Sequence, residues 1–302
     1  MDQQGGNRAD IRDFLVSRRA KITPEQAGLP AGTRRRVPGL RREEVAVLAG
    51  VSTEWYTRLE KGHISGVSED VLAAVAQALH LDEDERTYLF DLAKSARPAR
   101  RTAPRRKDVD VPPRVQWMLD SMTMACAFVC NGRLDVIAHN ALFKALWAPM
   151  YDSPTTREHG RANLARYIFL DPGAQHYFAD WDAACASTAA LLHAEAGREP
   201  GDRALRELIG ELSTLSAAFR THWAAHDVRI HHDGTKRLRH PVVGDLELTY
   251  HSLGLPLPNR SAHVLTVYCA EPGTASEEAL RLLASWAATQ GSTSSSQHLQ
   301  HD

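Results

Sequence analysis

The stretch REEVAVLAGVSTEWYTRLEKG, residues 42–62, decides how the N-terminal part of the chain reads. Within Arg41–Ala49, Val45, Leu48 and Ala49 recur at helical spacing, and Ala46 sets a small side chain on the adjacent face. Gly50 stands where a chain leaving a helix takes positive φ, which glycine does without a Cβ clash. Val51 is apolar and suits the angle between two helices. Ser52 is a good N-cap, its hydroxyl satisfying an orphan amide of the next helix. That helix, Thr53–Glu60, turns Tyr56 and Leu59 inward and shows Thr53, Glu54, Thr57 and Arg58 to solvent. Small residue, glycine turn, apolar plug and polar second helix describe a helix-turn-helix.

The physical sense of that pattern lies in groove size. One α-helix fits the DNA major groove, and its first turn presents side chains to base edges. A short turn lets the first helix brace the second at a fixed angle. An ordinary helical hairpin would show the same periodicity, but it does not require these residue types in this order.

The flanks agree. Ile11–Ile22 is amphipathic, with Ile11, Phe14, Leu15 and Ile22 inward. Ser68 opens a helix to Leu79 with Glu69 and Asp70 in its first turn, where they favour the helix dipole, and an apolar stripe of Val71, Leu72, Val75, Ala76 and Leu79. Asp82 and Glu85 have capping-box spacing and open a fifth helix carrying Tyr88, Leu89, Phe90 and Leu92.

These residues carry a resemblance. Residues 10–93 look like the DNA-binding domain of XRE (Cro/C1-type) regulators, and LRREEVAVLAGVSTEWYTRLEKG is especially similar to the MmyB-like subset. The resemblance implies that Thr53, Glu54 and Arg58 occupy base-reading positions, with Thr57 beside them. It places Arg42 and Ser52 at phosphate- or edge-contacting positions. HISGVS, after Gly62, departs from the phage-repressor pattern in having no basic cluster. The triplet Arg34-Arg35-Arg36 either compensates or is a solvated charge run.

Charge divides along the chain. Of a net −1, residues 1–107 carry +5 and residues 108–302 carry −6. A basic front end suits an anionic partner. Residues 96–112 are rich in Pro, Arg and Ala without apolar periodicity, and read as a linker that either lies along phosphates or is merely solvated. The expected organisation is a helix-turn-helix domain over 1–95, this linker, a second domain over 113–288 and a disordered Ser-rich tail over 289–302.

Periodicity changes in the second domain. A helix over Arg114–Met122 precedes two short strands around an Asn131-Gly132 hairpin signal. Helical segments follow at Ala141–Trp147, Tyr177–Ala196 and Arg203–Ala225, then antiparallel strands in TKRLRHPVVGDLELTYHSLGL and SAHVLTVYCAEP, then a helix over Ser276–Ala288. The fold class is therefore an all-α domain followed by an α+β domain whose antiparallel sheet is covered by helices on one face. This half resembles the MmyB-like ligand-binding domain, through NLARYIFLDP, FADWDAACA, FRTHWAAHDVR, RHPVVGDLELTYHSL and VLTVYCAEPG. That resemblance implies a PAS-like fold enclosing a small apolar molecule such as a fatty acid.

From the residues themselves, Trp147, Phe169, Phe178, Trp181, Phe219 and Trp223 gather on helices that cover the sheet, suiting either a pocket wall or plain core packing. Arg166 is a candidate anchor for a carboxylate, or the partner of Asp171 or Asp227. The four cysteines form no CxxC and read as buried free thiols in a reducing cytoplasm. No apolar run approaches the roughly 18 residues that span a bilayer, and no signal-peptide core precedes the first helix. His222-x-x-x-His226 has helical spacing but no accompanying Glu motif, so no metal, cofactor or catalytic constellation is expected.

The leading expectation is a cytoplasmic, ligand-responsive DNA-binding regulator that acts as a homodimer on a palindromic double-stranded operator. The runner-up keeps the DNA-binding head and gives the second domain a solid core used for dimerisation or protein docking. An enzyme with an accessory DNA-binding head is the third reading.

Overall fold

The computed structural model describes residues 3–30, 37, 39–96, 111–228, 232–256 and 262–298. The Arg34-Arg35-Arg36 triplet and most of the linker lie outside these. The chain forms two compact units.

The first unit takes in Met1–Pro104 together with Ala189–Glu207 and Thr221–Ile230. Its helices are α1 (Gln3–Lys21), α2 (Arg42–Leu48), α3 (Thr53–Glu60), α4 (Glu69–Ala78) and α5 (Glu83–Ser95). Local chemistry sets the boundaries. Ser68 Oγ accepts from the Val71 amide, and Asp82 and Glu85 exchange side-chain and backbone hydrogen bonds at 2.9 and 3.1 Å, closing the expected capping box. One apolar core joins Phe14, Leu15, Val45, Tyr56, Leu59 and Leu72. Each such side chain, fully buried, contributes about 1.5–3 kcal/mol. Leu48, expected inward, is 37% exposed, because Ala46 and Ala49 take the inner face of α2 beside Val45.

The second unit takes in Arg105–Thr188, Leu208–Arg220 and His231–Asp302. Five antiparallel strands, β1 (Cys126–Asn131), β2 (Val136–His139), β3 (Asp233–His240), β4 (Gly244–Pro256) and β5 (Ala262–Cys269), lie in the order β2-β1-β5-β4-β3. Helix α6 (Pro113–Ser121) packs Val115 and Leu119 against Ala127, Val129 and Leu265 on one face. Helix α7 (Ala141–Leu146) covers the other, where Phe143 stacks on Phe128 with centroids 4.2 Å apart. Helices therefore pack on both faces, not on one. Short helices α8 (Ala148–Tyr151), α9 (Pro154–His159), α10 (Leu164–Leu170) and α11 (Gly173–Tyr177) follow α7.

Several elements differ from expectation for physical reasons. The β1–β2 turn is longer than two residues: Asn131 Oδ1 accepts from the Arg133 and Asp135 amides, and Leu134, not Gly132, takes positive φ. The long helix begins later and is α12 (Trp181–Arg198). The segment 203–225 breaks into α13 (Arg203–Leu215) and α14 (Ala217–Ala224), with Ser216 Oγ accepting from the Phe219 amide at the break. The closing helix α15 (Ala275–His298) runs through most of the expected disordered tail. Extending an existing helix carries no nucleation cost, so weak formers such as serine can be added to its end. Cys126, Cys130 and Cys185 are buried, but Cys269 is exposed, against the expectation of four buried thiols.

Candidate nucleic-acid interface and ligand site

The turn between α2 and α3 has the geometry its residues demand. Gly50 adopts φ 65°, and the Val51 amide donates to the Ala46 carbonyl at 2.9 Å, folding Val51 back toward the core. Ser52 Oγ accepts from the Trp55 amide at 3.1 Å. Tyr56 and Leu59 are buried, while Thr53, Glu54 and Arg58 are exposed and Thr57 is half-buried beside them. Arg58 borders a 370 Å³ cleft shared with Trp55, His63, Ser65 and Ser68.

Arg42 is held by a residue that the motif does not announce. Glu60, at the end of α3, is 1% exposed and receives Arg42 Nε at 2.9 Å and Nη2 at 2.8 Å. Arg19 of α1 donates to the same carboxylate from Nε at 2.9 Å and Nη2 at 3.0 Å. Burial opposes the Arg19 charge, but hydrogen bonding and attraction from Glu60 hold its guanidinium above the ordinary value. Burial, with the Glu60 charge, likewise pushes the Tyr56 phenol up. One internal carboxylate thus links α1, α2 and the exposed helix α3. Two Arg on a buried Glu leave a surplus positive charge, and the half-exposed Arg42 carries it to the surface.

In the second unit, aromatic rings form a continuous layer across the inner helices, mostly edge to face, with Phe143 and Trp147 stacked. His139 meets Tyr151 at 5.3 Å, Tyr151 meets Phe143 at 6.4 Å, and Phe143 meets Trp147 at 5.8 Å. Trp147 in turn touches Tyr167, Tyr177 and Phe178. Tyr177 Oη donates to the Leu146 carbonyl at 2.7 Å. Among the described residues, the buried Trp147 Nε1, Tyr151 Oη and Tyr167 Oη have no hydrogen-bond partner. An unmet buried donor costs about 1–3 kcal/mol, so three in one aromatic layer are unusual. Burial raises both the Tyr151 and Tyr167 phenols and lowers His139, keeping these groups neutral. At the His139–Tyr151 end the layer reaches an open 420 Å³ cleft that also touches Gln116, Ile137, Thr156 and Arg161. That volume lies within the range of small-molecule sites.

The seven expected ligand residues are distributed differently. Trp147 and Phe178 pack together in this layer, and Phe169 and Phe219 form an edge-to-face pair at 5.0 Å. Trp181 Nε1 donates to the Ile168 carbonyl at 2.9 Å. Arg166 is committed to Glu211, with Nη2 at 2.8 Å and Nε at 3.0 Å from Oε2, rather than to Asp171 or Asp227. Trp223 belongs to the first unit, stacked on His193 at 3.5 Å. None of the seven lines the cleft. Tyr151 and Tyr167, which join this layer, carry no sequence signal beyond being aromatic.

An all-helical unit with an exposed, capped second helix, and a sheet unit with an aromatic layer beside a cleft, define a helix-turn-helix transcription regulator with a ligand-binding domain. Residues 18–89 match the family described as a helix-turn-helix domain, and residues 111–283 match the MmyB-like transcription regulator ligand binding domain. The chain belongs to the MmyB-like family of transcription regulators. No curated protein matches it closely enough to count as a relative. Among the described residues no helix is long and apolar enough to cross a membrane.

Proposed function

We propose that this regulator binds a two-fold operator in the cytoplasm as a homodimer, and that an apolar molecule bearing a hydrogen-bond acceptor, of which a fatty acid is the simplest, adjusts that binding. Thr53, Glu54, Thr57 and Arg58 read base edges, and Arg42 and Ser52 contact the backbone or its margin. The observation supporting the ligand class is the trio of buried donors unmet among the described residues, Trp147 Nε1, Tyr151 Oη and Tyr167 Oη. Apolar rings favour an acyl chain, and neutral donors favour an acceptor head that enters from the adjoining cleft. The other reading, a solid core serving only dimerisation, is favoured by the close ring packing around Trp147, which is 1% exposed.

Solvent extraction and mass spectrometry of the purified protein, with operator titrations across a series of acyl chain lengths, separate the two. A co-purifying acyl species and a shift in operator affinity support sensing, and the double variant Trp147→Phe, Tyr167→Phe then binds operator without the shift. No extracted species and no shift at any length would establish the dimerisation-only reading.

A further inference from the structure

The first unit contains two segments that fall inside the ligand-binding-domain match, Ala189–Glu207 and Thr221–Ile230. Both are covalently continuous with the second unit, as the C-terminal part of α12 and the end of α14. Their attachment to the helix-turn-helix bundle is specific. Arg18 of α1, with its side chain 5% exposed, pairs with Glu85 at 2.7 Å. A second arm of the same guanidinium donates to the His226 carbonyl, and Asp227 lies 3.8 Å away. His226 presents that carbonyl from a left-handed bend, φ 48°, a conformation that costs a non-glycine residue and persists only when its surroundings enforce it. Val228, two residues on, is buried in the core formed by Phe14, Leu15 and Tyr88.

Gly197 provides a second attachment. It lies so close to Tyr88 that a Cβ there would stand 2.4 Å from the ring, and its carbonyl accepts from Ser95 Oγ at 2.9 Å. The two segments also hold each other. His193 stacks on Trp223 at 3.5 Å, and its Nε2 meets the Trp223 carbonyl at 2.8 Å.

Arg18 has Arg19 as its neighbour on α1, and Arg19 grips Glu60 at the end of α3. A contiguous path therefore runs from the His226 carbonyl through Arg18 and Arg19 to Glu60 and Arg42. Close-packed interiors transmit strain, and both arginines stand on the single helix α1. We propose that Arg18 is the coupling residue, and that these two segments set the position of the exposed helix α3 through it. The direction of signalling rests on the ligand-sensing reading above; the mechanical link does not.

The test uses the full chain, an operator duplex selected from a random library, and sodium palmitate as probe. Arg18→Gln cuts the ion pair, and Gly197→Ala forces Tyr88 and α12 apart without altering any charge. If wild type shifts with palmitate by a typical coupling of about 5- to 150-fold, both variants are expected to lose the shift while keeping a cooperative thermal transition. A full shift retained in Gly197→Ala overturns the proposal. Should Arg18→Gln fail to fold, Gly197→Ala alone decides. If wild type does not respond to palmitate, that ligand is excluded, and coupling is judged without ligand. Loss of hydrogen-exchange protection in α3 of Gly197→Ala, with a change of at least about 5-fold in operator affinity, supports it; unchanged protection and affinity overturn it.

Discussion

Glu60 and Arg42 meet through two hydrogen bonds, at 2.9 and 2.8 Å, with the carboxylate buried and the guanidinium half in solvent. The pair ties the end of α3 to the start of α2, so the angle of the helix-turn-helix is held at its open side as well as at the Gly50 turn. Removing one partner of a buried ion pair costs about 3–5 kcal/mol, because the other charge is left unmet. Glu60→Ala strands Arg19 inside the bundle, and urea unfolding of the full chain should show a loss of that order. Arg42→Ala leaves Glu60 with Arg19 and should cost less than Glu60→Ala. Its larger effect should be on DNA: gel shifts are expected to show weaker binding to all sequences, with the salt slope reduced by about one.

Arg58 projects from α3 into solvent, makes no ion pair among the described residues, and borders the cleft with His63 and Ser65. Arg58→Ala should lose about 1–3 kcal/mol on the specific operator and relax the preference at one base pair. Gel-shift titrations on operator and scrambled duplexes check this. Equal losses on both would take Arg58 out of base readout.

A single exposed helix covers too few base pairs to specify an operator. Footprinting at saturating protein should reveal two protected half-sites about 34 Å apart. One isolated half-site would contradict the homodimer.

Acid should loosen the first unit through His193. Burial lowers its pKa from 6.5 to about 4, so the fold favours the neutral ring. The associated stability, up to about 3 kcal/mol, is present above pH 6.5 and disappears as pH falls toward 4. His226 shifts in the same direction. Asp10 opposes them: burial, then Asp13, raises it to about 6, so its contribution is present below pH 3.8 and lost as pH rises through 6. Asp10→Asn should therefore be more stable than wild type at pH 7 and lose that advantage by pH 4, measured as urea midpoints across the range.

Cys269 is the exposed thiol, whereas Cys126, Cys130 and Cys185 are buried, and burial raises Cys185 to about 12. A thiol reagent should label one cysteine in the native protein and four after unfolding. Rapid labelling of two or more under native conditions would show that the sheet unit opens readily.

The helix-turn-helix was legible because its signals are local: a glycine at positive φ, a serine cap and a capping box each act within four residues. The same approach fails where the deciding partner is remote. Arg166 has acids close by in sequence, yet it chooses Glu211 on another helix. Trp223 matches the other aromatics in character, but its ring stacks on His193 in the first unit. Asn131-Gly132 is a strong two-residue turn signal, overridden because Asn131 spends its side chain on the Arg133 and Asp135 amides. Glu60 looks like one more solvated acid of an amphipathic helix until α1 is folded against it. The strands could be read from alternation; their order in the sheet, and which rings surround the unmet donors, could not.

Val228 closes the core of the DNA-binding unit from far downstream. On the ribosome, the first five helices emerge well before that residue is made, on the order of ten seconds earlier at ordinary elongation rates. During that interval Arg18 has Glu85 but not the His226 carbonyl, and the apolar face awaiting Val228 is wet. The nascent head thus lacks contacts that the finished one has until most of the ligand-binding domain has been translated. A fragment ending at Ser95 preserves that immature state, and its melting temperature, compared with the whole chain, measures how much of the head is completed by its own tail.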